Sequence, residues 1–202
     1  MKATITSLIF LLLSLTVSSQ TYKYIGIEEG LSNQKIYKIQ KDARGYMWFL
    51  THVGIDQYNG KEIKHYKLRE GNRELDPLLN INWTFLDKTG TLLVTGKQGR
   101  IFRYDSGHDR FVQIYSMYNY WNKGYHAFVR YSYIDQEDNV WLCGKSAIHL
   151  FNIESGQKQR ISNRLGNITC IEQINSEHFF IGTDKRIYLA KLENGNLKEL
   201  SC

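Results

Sequence analysis

The side chains able to do chemistry are few and widely spread. Six histidines, His52, His65, His108, His126, His149 and His178, show neither His-x-x-x-His nor His-Glu spacing, so no zinc centre is expected. Asp105-Ser-Gly-His-Asp109 could be drawn as a cation loop, but its Asp, Ser and Gly are equally the residues of a tight turn, which is the reading preferred. Asp135-Gln-Glu-Asp138 also falls where a hairpin turn is expected. Neither a Gly-x-Ser-x-Gly nucleophile turn nor a phosphate loop occurs. No catalytic residue, metal or cofactor is therefore expected, and the chain is not expected to be an enzyme. Asn82-Trp-Thr84 and Asn167-Ile-Thr169 fit the glycosylation acceptor pattern, which matters only in a eukaryotic secretory pathway.

One stretch is richer. Tyr115 to His126 reads Tyr-Ser-Met-Tyr-Asn-Tyr-Trp-Asn-Lys-Gly-Tyr-His. Exposed aromatic rings offer flat apolar faces with polar tips, suited to stacking on sugars, and Asn122 and Lys123 could bond hydroxyls or acidic groups. Tyr118, Tyr120, Trp121 and Tyr125 are the candidate ligand-binding residues. The competing reading makes these rings a wedge between neighbouring structural units, and the sequence leaves both open.

Positioning such residues is the work of a repeated element. Ile36 to Gln40 alternates as a strand, Asp42 to Gly45 is a turn, and Met47 to Thr51 is a second strand. Gly54 opens a third strand through Tyr58, and Asn59-Gly60 is a hairpin signal leading into a fourth over Glu62 to Lys67. A four-stranded sheet apolar on both faces needs neighbours, so the pattern should recur. It does: Trp48-Phe-Leu-Thr51 returns as Leu93-Val-Thr-Gly96, Trp141-Leu-Cys-Gly144 and Phe180-Ile-Gly-Thr183, at steps of 45, 48 and 39 residues.

Flanking residues travel with this anchor. Asp42, Asp87 and Asp135 each stand six residues before it, whereas in the fourth unit Asn175-Ser-Glu forms the turn and the spacing shortens by one. Closing turns follow at Asn59-Gly60, Asp105-Ser-Gly107, Glu154-Ser-Gly156 and Asn194-Gly195. A β-sandwich would explain evenly spaced turns but not this order of residue types. The expected fold is all-β, a β-propeller of about four four-stranded antiparallel blades over 30–68, 78–116, 127–162 and 166–200. Trp48, Leu93, Trp141 and Phe180 should occupy equivalent second-strand positions, hidden wherever a neighbouring blade exists. Tyr22 to Ile27 alternates as a spare strand that could complete a last blade, yet the fourth unit already has its own fourth strand. The chain is therefore expected to be an open, N-terminal part of a larger propeller.

Residues 1–20 differ in kind. Lys2 precedes an apolar run from Leu8 to Val17 and the small residues Val17-Ser18-Ser19, which reads as a secretory signal peptide rather than a membrane span. No later segment is apolar enough to cross a bilayer, and export to the periplasm of a bacterium is expected. The formal net charge of +6 is a statement about solubility first. With no run of like charges, nucleic acid is not an expected partner. Of the three cysteines, Cys143, Cys170 and Cys202, an odd count leaves one over, and Cys143 and Cys170 are expected on strands, Cys143 as a buried small residue and Cys170 as a buried free thiol rather than a bridge.

Gly30-Leu-Ser-Asn33, the series Ile36, Ile39, Asp42, Gly45, Trp48 and the close Gly54-Ile55 to Tyr58-Asn59-Gly60 resemble the two-component regulator propeller repeat. That repeat occurs in exported sensor regions of bacterial histidine kinases and related signalling proteins. The likeness covers about Tyr22 to Leu200 and is most specific in the first blade. It implies a periplasmic ligand-sensing input module, with a glycan fragment as ligand and with further blades and signalling domains as partners. Any kinase activity would reside in those other domains. A freestanding exported binding or scaffolding propeller, lectin-like, is the alternative.

Overall fold

The computed structural model describes residues 22–117, 128–193 and 196–201. The first sheet runs in sequence order through β1 (Ile36–Lys41), β2 (Met47–Thr51), β3 (Ile55–Tyr58) and β4 (Ile63–Tyr66). A small hairpin, β5 (Arg69–Glu70) and β6 (Arg73–Glu74), and a single helical turn, α1 (Pro77–Asn80), lead into the next sheet. Pro77 suits the first position of that turn, and Asp76 caps it by accepting the Leu78 N–H at 2.9 Å.

The second sheet is β7 (Trp83–Leu86), β8 (Leu92–Thr95), β9 (Arg100–Asp105) and β10 (Arg110–Ser116). The third is β11 (Tyr131–Ile134), β12 (Asn139–Cys143), β13 (Ala147–Asn152) and β14 (Lys158–Ser162). The fourth is β15 (Ile168–Gln173), β16 (His178–Thr183), β17 (Ile187–Glu193) and β18 (Asn196–Ser201). Every pairing within these sheets is antiparallel, so the expected four-stranded blades are present.

Because side chains alternate across a strand, each blade has two apolar faces, and each inner face is closed by the next blade. Trp48, Leu50 and Ile55 of the first blade meet Leu92, Val94 and Phe102 of the second. Leu93 and Ile101 on the second blade's other face meet Val140, Leu142 and Phe151 of the third. Trp141, Ile148 and Leu150 of the third meet Ile171, Phe179 and Ile181 of the fourth. The first strands follow one another in space, β1 against β7, β7 against β11 and β11 against β15, with no comparable contact returning from β15 to β1 among the described residues. The array is an incomplete propeller.

The turn between first and second strands repeats in atomic detail. In the first blade Asp42 Oδ1 accepts the N–H groups of Arg44 and Tyr46, while Oδ2 accepts the Trp48 indole N–H at 2.9 Å. Asp135 does the same for Glu137, Asn139 and Trp141, the indole bond being 2.8 Å. Leu93 has no such donor, and in its blade the Arg103 guanidinium meets Asp87 Oδ2 at 2.7 Å. Blade four has Ile174 in the aspartate's place, and Asn175 Oδ1 takes the N–H groups of Glu177 and His178 instead.

These turns also join blade to blade. Ala43 N–H donates to Gly90 O, Lys88 N–H to the Asp138 carboxylate, and Gln136 N–H to Gln173 Oε1. Gly90 has φ +73°, and a Cβ there would stand 2.3 Å from the Cβ of Ala43, so both its backbone and its lack of side chain are required. Asp138 occupies the corresponding left-handed position with φ 61°.

Trp48, Leu93 and Trp141, each with a following blade, are fully buried, and Phe180, in the equivalent register, is 48% exposed where no described blade faces it, as the repeat implies. Two expectations need correction. Tyr22 to Ile27 forms no strand. It enters a turn closed by Leu31 N–H to Gly26 O at 2.9 Å. Cys143 is buried but Cys170 is exposed, because a register shift between Ile168 and Cys170 sets Ile168 and Ile171 inward and turns the thiol to the open side. The expected Asn194-Gly195 turn, Cys202 and the expected signal peptide of residues 1–20 lie outside the described residues.

Candidate binding surfaces

Tyr118, Tyr120, Trp121 and Tyr125 lie outside the described residues, but both ends of their connection are visible. Met117 N–H donates to Gly99 O at 3.0 Å and Val129 N–H to Lys97 O at 2.8 Å, so the segment leaves and returns at the same β8–β9 turn. Tyr115 stacks on Phe151 with centroids 4.8 Å apart, and Met117 is buried beside Val129. The first residues of the aromatic stretch therefore serve as a wedge between the second and third blades. His149 is buried in the third blade, and burial together with the nearby Arg160 charge holds its imidazole down to about 4.

The Gly30-Leu-Ser-Asn33 stretch works as an anchor. Leu31 is buried, Ser32 donates both its N–H and its hydroxyl to Asp56 Oδ2 at 2.7 and 2.8 Å, and Asn33 Oδ1 accepts the Lys35 N–H. His65 Nδ1 meets the other oxygen of Asp56 at 2.8 Å. Serine, aspartate and histidine thus come together, a grouping that sequence spacing did not reveal. The aspartate stands in the middle, so His65 has no bond with the Ser32 hydroxyl and this trio cannot relay a proton from serine to imidazole.

A second cluster joins the outer parts of the first two blades. The Trp48 ring lies 5.5 Å from Tyr66, 4.7 Å from Tyr104 and 5.6 Å from Phe111. Asp109 covers it, Oδ1 accepting the Tyr66 hydroxyl at 2.5 Å and the Tyr104 hydroxyl at 2.7 Å, while Lys64 pairs with Oδ2. Burial, followed by the bond to Tyr104, pushes the Tyr66 phenol above its ordinary value. The turn reading of Asp105 to Asp109 holds, since Asp105 Oδ1 accepts the N–H groups of Gly107 and His108. Sequence pattern missed the bridge from Asp109 to the other blade.

The open side of the fourth blade is a third surface. Phe180 and Ile187, the latter 66% exposed, stand there beside Cys170. Apolar area of this kind is what the three interior faces bury. Among the described residues no group of three or more His, Cys, Asp or Glu could hold a metal, and no helix is long and apolar enough to cross a membrane.

Comparison with known proteins agrees with this geometry. The extracellular domain of a hybrid two component system from B. thetaiotaomicron is similar, with TM-score 0.66 and 16% identity over 89% of this chain and 26% of that one. The same domain of a second such system from that organism gives TM-score 0.66 and 15% identity over 92% of this chain and 24% of that one. The dihydro-heme d1 dehydrogenase NirN matches with TM-score 0.60 and 12% identity over 85% and 37%. At these identities the likeness is one of fold, and the chain spans about a quarter of the length of the two sensor domains. No curated protein sequence matches the chain. Residues 30–52, which hold the Ser32 anchor, the Asp42 turn and Trp48, match the family described as two component regulator propeller, so the first blade of this chain carries that repeat.

Proposed function

We propose that the chain is the ligand-sensing input module of an exported two-component signalling protein, forming the N-terminal part of a larger propeller. The observation that carries this is the face of the fourth blade. Phe180 stands where Trp48, Leu93 and Trp141 each meet a following blade, and it is left uncovered. The repeat matched at residues 30–52 supports the signalling context. Further blades and signalling domains are the expected partners, the periplasm is the expected location, and the blades serve binding rather than catalysis. An oligosaccharide fragment is the proposed ligand, with Tyr118, Tyr120, Trp121 and Tyr125 as its stacking residues.

Glycan-array screening of the purified chain, followed by thermal shift with each hit, tests the ligand. A single oligosaccharide class that raises the melting temperature supports the reading, and an array without hits counts against it. Reading the DNA beyond Cys202 tests the context. An in-frame continuation with more repeats and a membrane helix supports the sensor; an intergenic stretch shifts the assignment to a freestanding binding propeller.

A further inference from the structure

A groove of about 680 Å³ runs along the outside of the first two blades, between β4 and the start of β10, with the β5–β6 hairpin at one end. Tyr66 and Phe111 are among its lining, and its fixed charges are four basic residues, Lys64, Lys67, Arg69 and Arg110, against two acids. Its two acids are already engaged. Glu70 binds Arg73 at 2.5 Å and Arg100 at 3.5 Å, and Asp109 holds Lys64 and two tyrosine hydroxyls. Lys67 is likewise satisfied by Glu74 at 2.8 Å. Arg69 and Arg110, one on each lip, are exposed and have no acidic partner among the described residues.

The walls have a second property. β4 and β10 are each the last strand of their sheets, so among the described residues each has one edge to which no strand is hydrogen-bonded, although β5 packs near β10. Consecutive residues of both, Lys64 to Tyr66 of β4 and Arg110 to Gln113 of β10, line the groove. Backbone donors and acceptors on an unpaired edge accept an added strand, while planar guanidiniums grip carboxylates with two parallel bonds.

We infer that this groove binds an extended acidic polypeptide segment, which adds along an outer strand edge and places side-chain carboxylates on Arg69 and Arg110. Side chains of an added strand alternate, so acids at every second residue would all face the basic lips. An isolated anion would use the guanidiniums but leave the edge unpaired. The site is separate from the aromatic connection and does not depend on the ligand proposed there.

The probe is a short capped peptide alternating Glu and Val, titrated at low ionic strength into the whole chain, with an analogue N-methylated at alternate residues. The Glu-Val peptide should bind, and Arg69→Glu with Arg110→Glu should weaken it by about tenfold or more. Lys145→Glu with Lys185→Glu, the same charge change away from the groove, should alter affinity by less than about twofold. N-methylation should also weaken binding by about tenfold, and those amides between Arg110 and Gln113 that do not bond β9 should gain hydrogen-exchange protection. Undiminished binding by the Arg69 and Arg110 variant overturns the site. Equal binding of the methylated analogue, or equal loss in the control variant, reduces it to a nonspecific anion effect.

Discussion

The carboxylate of Asp138, on the first turn of the third blade, accepts the backbone N–H of Lys88 from the second blade at 3.1 and 3.3 Å. The equivalent positions in the first two blades are Gly45 and Gly90, with φ +88° and +73°. Asp138 adopts the same left-handed backbone and spends the strain on a bond between blades. Asp138→Ala keeps the strain and loses the bond, so it should destabilise by about 1 to 3 kcal/mol. Asp138→Gly loses the bond but relieves a backbone cost of about 1 kcal/mol, and should be the milder change. Denaturant unfolding of the pair measures this, and equal losses would show that the backbone is not strained.

Trp141 and Phe180 occupy one register in consecutive blades, the first fully buried and the second half exposed. Trp141→Ala should cost about 3 to 5 kcal/mol. In the same chain, at concentrations low enough to keep it monomeric, Phe180→Ala should cost less than about 1 kcal/mol, since surface substitutions generally cost about 0.5 kcal/mol or less. A large loss at Phe180 would mean that something already covers the fourth blade.

His149 has its imidazole pushed down to about 4 by burial and by Arg160. In the unfolded chain it titrates near its ordinary value of about 6.5. Between those limits the unfolded state binds a proton that the folded state refuses, so stability falls as pH drops through this window and is level above it. Comparing stability against pH for the wild type and His149→Asn isolates the effect. Profiles that run parallel through that window would exclude His149 as the cause.

The open face of the fourth blade should drive self-association. Sedimentation of the isolated chain should show concentration-dependent oligomers, and Phe180→Lys with Ile187→Lys should return it toward monomer. A wild-type monomer at all concentrations, melting cooperatively, would argue against an uncovered interface.

If the aromatic connection holds the ligand, Trp121→Ala should weaken oligosaccharide binding by on the order of 2 kcal/mol with little change in melting. A wedge role predicts the opposite, lost stability with unchanged affinity. Calorimetry and a thermal melt on one protein sample separate the two.

Local chemistry was legible and contacts between blades were not. An aspartate six residues before a tryptophan can be read as a unit because its carboxylate reaches the two turn amides and the indole within one hairpin. The shorter spacing in the fourth blade has the same logic, with Asn175 taking over the turn where Ile174 cannot accept a bond. By contrast, Asp109 and Tyr66 are 43 residues apart and meet only once two blades stack. Nothing in the pattern around Cys170 announced the register shift that exposes it. The Ser32, Asp56 and His65 grouping escaped for a similar reason: its members come from an entering segment and two different strands. In the candidate site, Tyr115 and Met117 support a wedge at the start of the stretch.

The bonds from Ala43 to Gly90, Lys88 to Asp138 and Gln136 to Gln173 all run the same way, each blade donating to its successor. Together with apolar faces that meet only adjacent blades, this makes the array a chain of like couplings rather than one indivisible core. Duplication or loss of a whole blade in the gene would keep the donating turn amide but change its acceptor, which is a carbonyl at Gly90, a carboxylate at Asp138 and a side-chain amide at Gln173. The donating turn amide is thus the interchangeable part, and the acceptor is what each pair of neighbouring blades adjusts.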